Sequence, residues 1–192
     1  MRIEEFHDDL ATKLRRLKSL EEQLPLYGDG PSAAPSPPPS TQTLGAGVFV
    51  VHGHHEALKQ QVARTVERLT GAAPIILHEQ PDGGRTIIEK FESYAGGVGF
   101  AVVLLTADDR GGPVASDESR PRGRQNVVFE LGYFIGRLGR ARVTVLYESG
   151  VELPSDMSGV LCTAADEAGA WQLKLAREMK AADIPVDLNK LT

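Results

Sequence analysis

Phe100-Ala101-Val102-Val103-Leu104-Leu105 is an unbroken apolar run, closed by Thr106. A run this short and uniformly apolar reads as a strand covered on both faces, central in a parallel sheet. Working outward, the same kind of text recurs. Upstream, Val48-Phe49-Val50-Val51 lies between Gly47 and Gly53, and Pro74-Ile75-Ile76-Leu77 forms a second short strand. Downstream come Arg142-Val143-Thr144-Val145-Leu146-Tyr147 and a brief edge strand at Val160-Leu161-Cys162. Helical spacing fills the gaps. Leu58, Val62, Val66 and Leu69 share one face of residues 55–69, and another helix runs from about Thr86 to Tyr94. Trp171, Leu175 and Met179 share the inward face of residues 168–181. Strict alternation of strand and helix predicts an α/β fold: a flavodoxin-like parallel sheet of about five strands with helices on both faces.

The helix between the third and fourth strands carries the most informative polar residue. In Arg124-Gln125-Asn126-Val127-Val128-Phe129-Glu130-Leu131-Gly132-Tyr133-Phe134-Ile135-Gly136-Arg137-Leu138, the core stripe is Val127, Leu131, Phe134, Ile135 and Leu138. Glu130 falls beside Phe134 at the border of that stripe. A carboxylate held partly out of water on a rigid element suits the stabilisation of a sugar cation. It reads equally as a border glutamate paired with Arg137 or Arg124.

Ahead of this domain, which spans residues 47–192, the text changes twice. Over residues 1–27, Ile3, Phe6, Leu10, Leu17, Leu20 and Leu24 keep a heptad, interrupted by Lys13. The stripe calls for a partner, either a second copy in a coiled coil or a groove on the chain's own domain. Residues 28–46, with Pro31, Pro35, Pro37, Pro38 and Pro39, read as an extended linker.

Bulk properties narrow the function. A formal charge of -5 and the lack of a basic stripe argue against nucleic acid as the main partner. A nucleotide in one pocket needs only a few local donors and stays compatible. The single Cys162 excludes an internal disulfide and suits a reducing compartment. Apolar runs are too short to cross a bilayer, and the charged N-terminus lacks a signal-peptide core. Together these predict a cytoplasmic protein without membrane contact.

Ligands of open parallel sheets bind outside the carboxyl ends of the strands. His52, Gly53 and His54 leave the first strand there: the imidazoles as neutral hydrogen-bonding groups, and Gly53 to admit a ligand's backbone. No zinc-like spacing accompanies them, so no metal site is expected. After the second strand, Gly83 and Gly84 expose backbone N–H groups and Arg85 adds a charge suited to a pyrophosphate. The same residues also read as a flexible turn before a helix cap at Thr86. After the third strand come Thr106, Asp108 and Asp109, the acids placed to hold ribose hydroxyls or to cap their loop.

Taken in order, several pieces resemble the bacterial TIR-like domain family, which includes TIR effectors of cyclic-nucleotide-triggered antiphage defence. They are Val50-Val51-His52-Gly53-His54, His78-Glu79-Gln80 through Gly84-Arg85-Thr86-Ile87-Ile88-Glu89-Lys90-Phe91, Val103 through Asp109, Arg124 through Gly132, and Leu153 through Gly159. The resemblance covers residues 47–191. It implies cleavage of the N-glycosidic bond of NAD+, a substrate here and not a cofactor, with Glu130 as the catalytic glutamate. Arg124 and Asn126 would join the loop residues above in holding the dinucleotide. Homo-oligomerisation through the domain and the N-terminal helix, and an upstream sensor or cyclic-nucleotide signal, are further implications. Two other readings stand beside it. One is a nucleoside deoxyribosyltransferase-like enzyme, in which Glu130 is a covalent nucleophile. The other is a TIR-type adaptor that binds nucleotide without catalysis.

Overall fold

The computed structural model describes residues 44–80, 84, 87–112, 114, 118–155 and 157–191, with Lys13, Arg15 and Lys18. The chain divides into two compact units, Met1–Thr43 and Leu44–Thr192. In the first, Lys13, Arg15 and Lys18 are helical and exposed. The heptad's apolar positions and residues 28–43 of the linker lie outside the described residues.

In the second unit, five strands form one parallel sheet: β1 (Gly47–Val51), β2 (Ile75–Ile76), β3 (Val98–Leu105), β6 (Val143–Tyr147) and β7 (Leu161–Ala164). Their order is β2-β1-β3-β6-β7. Every residue of β3 is buried, as a central strand requires. Valine and leucine suit such a strand because both faces meet apolar side chains. β7 is the edge strand that the Val160–Cys162 run predicts, displaced by one or two residues.

Alternation along the strands splits the core in two. Val48, Val50, Phe100, Val102 and Leu104 face α1 (Glu56–Thr70) and α4 (Ala170–Ala181). Phe49, Val51, Ala101, Val103 and Leu105 face α2 (Ile87–Ala95) and α3 (Gln125–Leu138). The predicted stripes are the buried ones: Leu58, Val62, Val66 and Leu69 on α1, and Trp171, Leu175 and Met179 on α4. Each large side chain so enclosed contributes about 1.5–3 kcal/mol. Helix α1 starts on His55, whose Nδ1 accepts from Leu58 N at 3.2 Å, and stops at Gly71, left-handed at φ 78°.

One element departs from expectation. The stretch between β3 and α3 folds partly into an antiparallel ribbon, β4 (Asp109–Gly111) with β5 (Arg120–Arg122). The ribbon is tied to the chain after β6 by Glu152 N donating to Pro121 O at 2.8 Å. Among the described residues no helix is long and apolar enough to cross a membrane.

Candidate functional site

With the order β2-β1-β3, the chain leaves β1 toward one face of the sheet and leaves β3 toward the other. This switch point opens a crevice at the carboxyl edge. Its walls are the loops after β1 and β3, and a hydrogen-bonded chain joins them. Asp108 Oδ1 accepts from His54 N at 2.9 Å, and its Oδ2 accepts from Thr106 Oγ1 at 2.5 Å. Arg124 Nη1 donates to His54 Nε2 at 2.7 Å, which extends the chain to the start of α3. His54, Thr106, Asp108 and Arg124 are thus brought together. Asp108 and Thr106 brace the loop, which favours the capping alternative for Asp108.

Gly53 has a different reason from the expected one. A Cβ there would collide with the carboxylate of Asp108. The space beside its Cα is filled by this side chain, not left open for a ligand's backbone. Asp109 is drawn into the ribbon, where it pairs in register with Arg122. Asn126 is exposed in the first turn of α3, and Gly84 is exposed with φ 72°. Gly83 and Arg85 lie outside the described residues.

Glu130 sits in the second turn of α3. Three and four residues on, along the same side of the helix, are Tyr133 and Phe134. Both rings meet Phe91 of α2 edge-on, with centroids 4.7 and 5.5 Å away. Tyr133 is therefore half-buried against α2, although helical phase alone would turn it outward. Phe129 is 65% exposed. Burial alone pushes the Glu130 carboxyl up to about 7. The two arginines that might have paired with it are engaged elsewhere. Arg124 holds His54, and Arg137 Nη2 donates to Gly96 O at 3.0 Å. Glu130 has no hydrogen-bond or ion-pair partner among the described residues. A desolvated, unpaired carboxyl on a packed helix is a candidate functional group.

The His52 ring lies 5.4 Å from that of His78, at the ends of β1 and β2. Its Nδ1 lies 2.7 Å from Gly53 O, the distance of an N–H donated to the carbonyl. Burial is the main cause holding its conjugate acid below the usual range. The Gly53 hydrogen bond opposes this, and the positive charge of Lys59 adds to it. The imidazole is therefore neutral at pH 7. Among the described residues no three His, Cys, Asp or Glu side chains are grouped to hold a metal ion.

Sequence reasoning passed over Lys59. This lysine is buried on α1, with Nζ 2.9 Å from Glu56 Oε1 and 3.3 Å from Glu79 Oε1. The one available signal was Glu56 three residues before it on the same helix.

Among the described residues, cavities open at two places along the carboxyl edge. One, of about 720 Å³, lies between the start of α1 and the loops after β6 and β7, lined by Gln61, Arg64, Glu148 and Asp166 among others. The other, of about 290 Å³, flanks α3 at Val128, with Arg122, Glu152 and Leu153. Glu130 lines neither. It lies a little over half a helical turn from Val128, on the flank of α3 toward α2.

The family described as CAP12/Pycsar effector protein, TIR domain, matches residues 47–167. The chain is 52% identical over 143 residues to the protein YuaY of Escherichia coli (strain K12), covering 74% of this chain and 48% of that one. It is 35% identical over 122 residues to Protein tirC of Dictyostelium discoideum, covering 58% and 60%. A shorter match, 40% identical over 75 residues, is to the Pycsar effector protein PaPycTIR of Pseudomonas aeruginosa, covering 38% and 24%. The chain thus spans less than two thirds of the length of each of these relatives.

Proposed function

Because the chain belongs to the CAP12/Pycsar effector TIR domains, we propose that it is an NAD+ glycohydrolase that serves as an effector in bacterial antiviral defence. One observation carries the reading. Glu130 is a desolvated carboxyl without a partner, on a helix locked by the Phe91, Tyr133 and Phe134 rings.

The chemistry asks for one such group. Nicotinamide is cationic in NAD+, so when the glycosidic C–N bond breaks, the electron pair leaves with a neutral ring and no general acid is needed. The barrier lies in the positive charge that develops on the ribose, as in other glycosyl transfers. A carboxylate poised at the ribose attracts that charge more strongly in the transition state than in the substrate. Low local dielectric enlarges the difference. Water then adds to the sugar carbon and loses a proton, giving ADP-ribose. His54, Thr106, Asp108 and Arg124 supply a rigid wall at the switch point. The Pycsar effector named among the relatives supports the defence role, and the proposal adds a nucleotide signal upstream with assembly of copies as the trigger. The protein acts in the cytoplasm.

The test is NAD+ consumption by the intact chain and by Glu130→Gln. Loss of one preorganised electrostatic group costs on the order of 10²–10³ in rate. Equal consumption by both proteins, or none by the wild type at high concentration, overturns the reading. A parallel incubation with deoxynucleosides reports base release if the carboxylate acts instead as a nucleophile.

A further inference from the structure

Lys59 is an uncommon residue: a lysine with 8% of its side chain exposed, on the face of α1 that meets the ends of β1 and β2. Burying an ammonium is costly unless it is paired. Here two carboxylates pair with it, Glu56 from its own helix and Glu79 from the 3-10 turn (Leu77–Glu79) that ends β2. The bond to Glu56 is the largest cause holding its pKa above the usual lysine value. Burial opposes this and Glu79 reinforces it. The charge is therefore permanent and fixed in place.

Both carboxylates are at least 48% exposed, so neither needs the lysine to escape a buried, unpaired state. The lysine is what is immobilised. It joins α1 to the end of β2, and beside that joint stand the two facing imidazoles, His52 and His78. With Nδ1–H donated to Gly53 O, His52 keeps its Nε2 as an acceptor. That atom is buried and lacks a partner among the described residues.

We propose that Lys59 is a positioning residue for the dinucleotide site. By clamping Glu56 to Glu79 it fixes the His52 and His78 imidazoles at the carboxyl edge. The inference rests on the glycohydrolase reading for its substrate and on the geometry for its mechanism. Lys59 acts through the histidines and not on the reacting bond, so binding should suffer and turnover should not. The charges and titratable groups facing His52 are Lys59 and Glu56 from α1 and His78 from the turn after β2. Lys59 and His78 disfavour its protonation, and Glu56 favours it.

The experiment is a histidine titration by NMR on ¹⁵N-labelled full chain, paired with steady-state NAD+ kinetics. Lys59→Met keeps the length of the buried stem and removes the charge. His52 should then protonate at higher pH than in the wild type. KM for NAD+ should rise about two- to ten-fold, the span of one neutral hydrogen bond, with kcat unchanged. Lys59→Arg should restore both readings. Glu56→Gln, at an exposed position, should move His52 the opposite way, a sign that general loosening of the structure does not produce. It also serves if Lys59→Met does not fold. Unchanged His52 titration in a folded Lys59→Met or Glu56→Gln protein overturns the proposal, as does unchanged KM in folded Lys59→Met. Wild-type protein that leaves NAD+ intact would instead sink the glycohydrolase reading, and the NMR arm would still decide whether Lys59 controls His52.

Discussion

Glu130→Gln should make the protein more stable at pH 8 and have a much smaller effect at pH 5. In the fold the carboxyl titrates near 7, against an ordinary value of 4.5. The folded state therefore binds its proton more tightly than the unfolded chain does. Below about 4.5 the acid is protonated in both states and costs nothing. As pH rises from 4.5 to about 7 the unfolded chain ionises first and stability drains away, and above 7 the loss is constant. At 1.36 kcal/mol for each pH unit between the two values, the full penalty is about 3 kcal/mol. Allowing for remaining contact with water, about 2 kcal/mol separates pH 8 from pH 5.

Glutamine has nearly the same shape and no charge, so whatever its amide loses by burial is lost equally at both pH values. The quantity to measure is the difference in Tm between variant and wild type, taken at each pH so that all other titrating groups cancel. For a chain of this size 1 kcal/mol moves Tm by about 2–4 °C, so the gap should widen by about 4–8 °C from pH 5 to pH 8. A gap that is the same at both pH values would show that Glu130 is well solvated and would remove the physical basis for its catalytic role.

Three other perturbations have definite expected outcomes. Because the ionised form of Glu130 is the one that stabilises the sugar cation, kcat/KM for NAD+ should climb about tenfold per pH unit below about 7 and level off above it. The cationic ring of bound substrate favours the ionised form, so the kcat profile should bend at lower pH than kcat/KM. Gly53→Ala should cost about 1–3 kcal/mol in denaturant unfolding, because the new methyl displaces the Asp108 carboxylate from Thr106 and His54. Adding Asp108→Gly should recover part of the collision cost, and a simply additive double variant would refute the coupling. Deleting residues 1–27 should lower specific activity at dilute protein while leaving the domain's far-UV spectrum in place, if the heptad raises local concentration. Activity that does not vary with dilution in either protein would refute that role.

The sheet was legible because each strand of the parallel sheet carries its whole identity in a run of apolar residues. Each of the five runs named from the text overlaps one strand of the parallel sheet, and β3, the purest run, is the central one. The ribbon of β4 and β5 was not legible. Its strands are three residues each, polar, and include Pro121, so they lack both the alternation and the propensity that mark a strand. Only hydrogen bonds across the ribbon and to Glu152 define it. Within the site, the border position of Glu130 followed from helical phase alone, because phase fixes a side chain's angle to the core. Its isolation did not follow, since Arg124 and Arg137 stand at suitable spacing in sequence and turn elsewhere for partners in other loops. Lys59 was hidden for the same reason. Its second carboxylate, Glu79, comes from another element, and no periodicity within α1 announces it. The role of Gly53 was read as openness when it is occupancy, because which side chain fills a gap is a tertiary fact.

That occupancy has a consequence for how this domain can diverge. The acid after β3 fills the volume beside the glycine after β1, so the glycine cannot gain a side chain while the acid stays where it is. A descendant that acquires a side chain at the glycine must displace, shorten or relinquish the acid, and with it the brace between the two loops. Across related sequences a side chain at the glycine should therefore be matched by a change at the acid, and an unmatched one would identify a lineage whose crevice is held open by some other device.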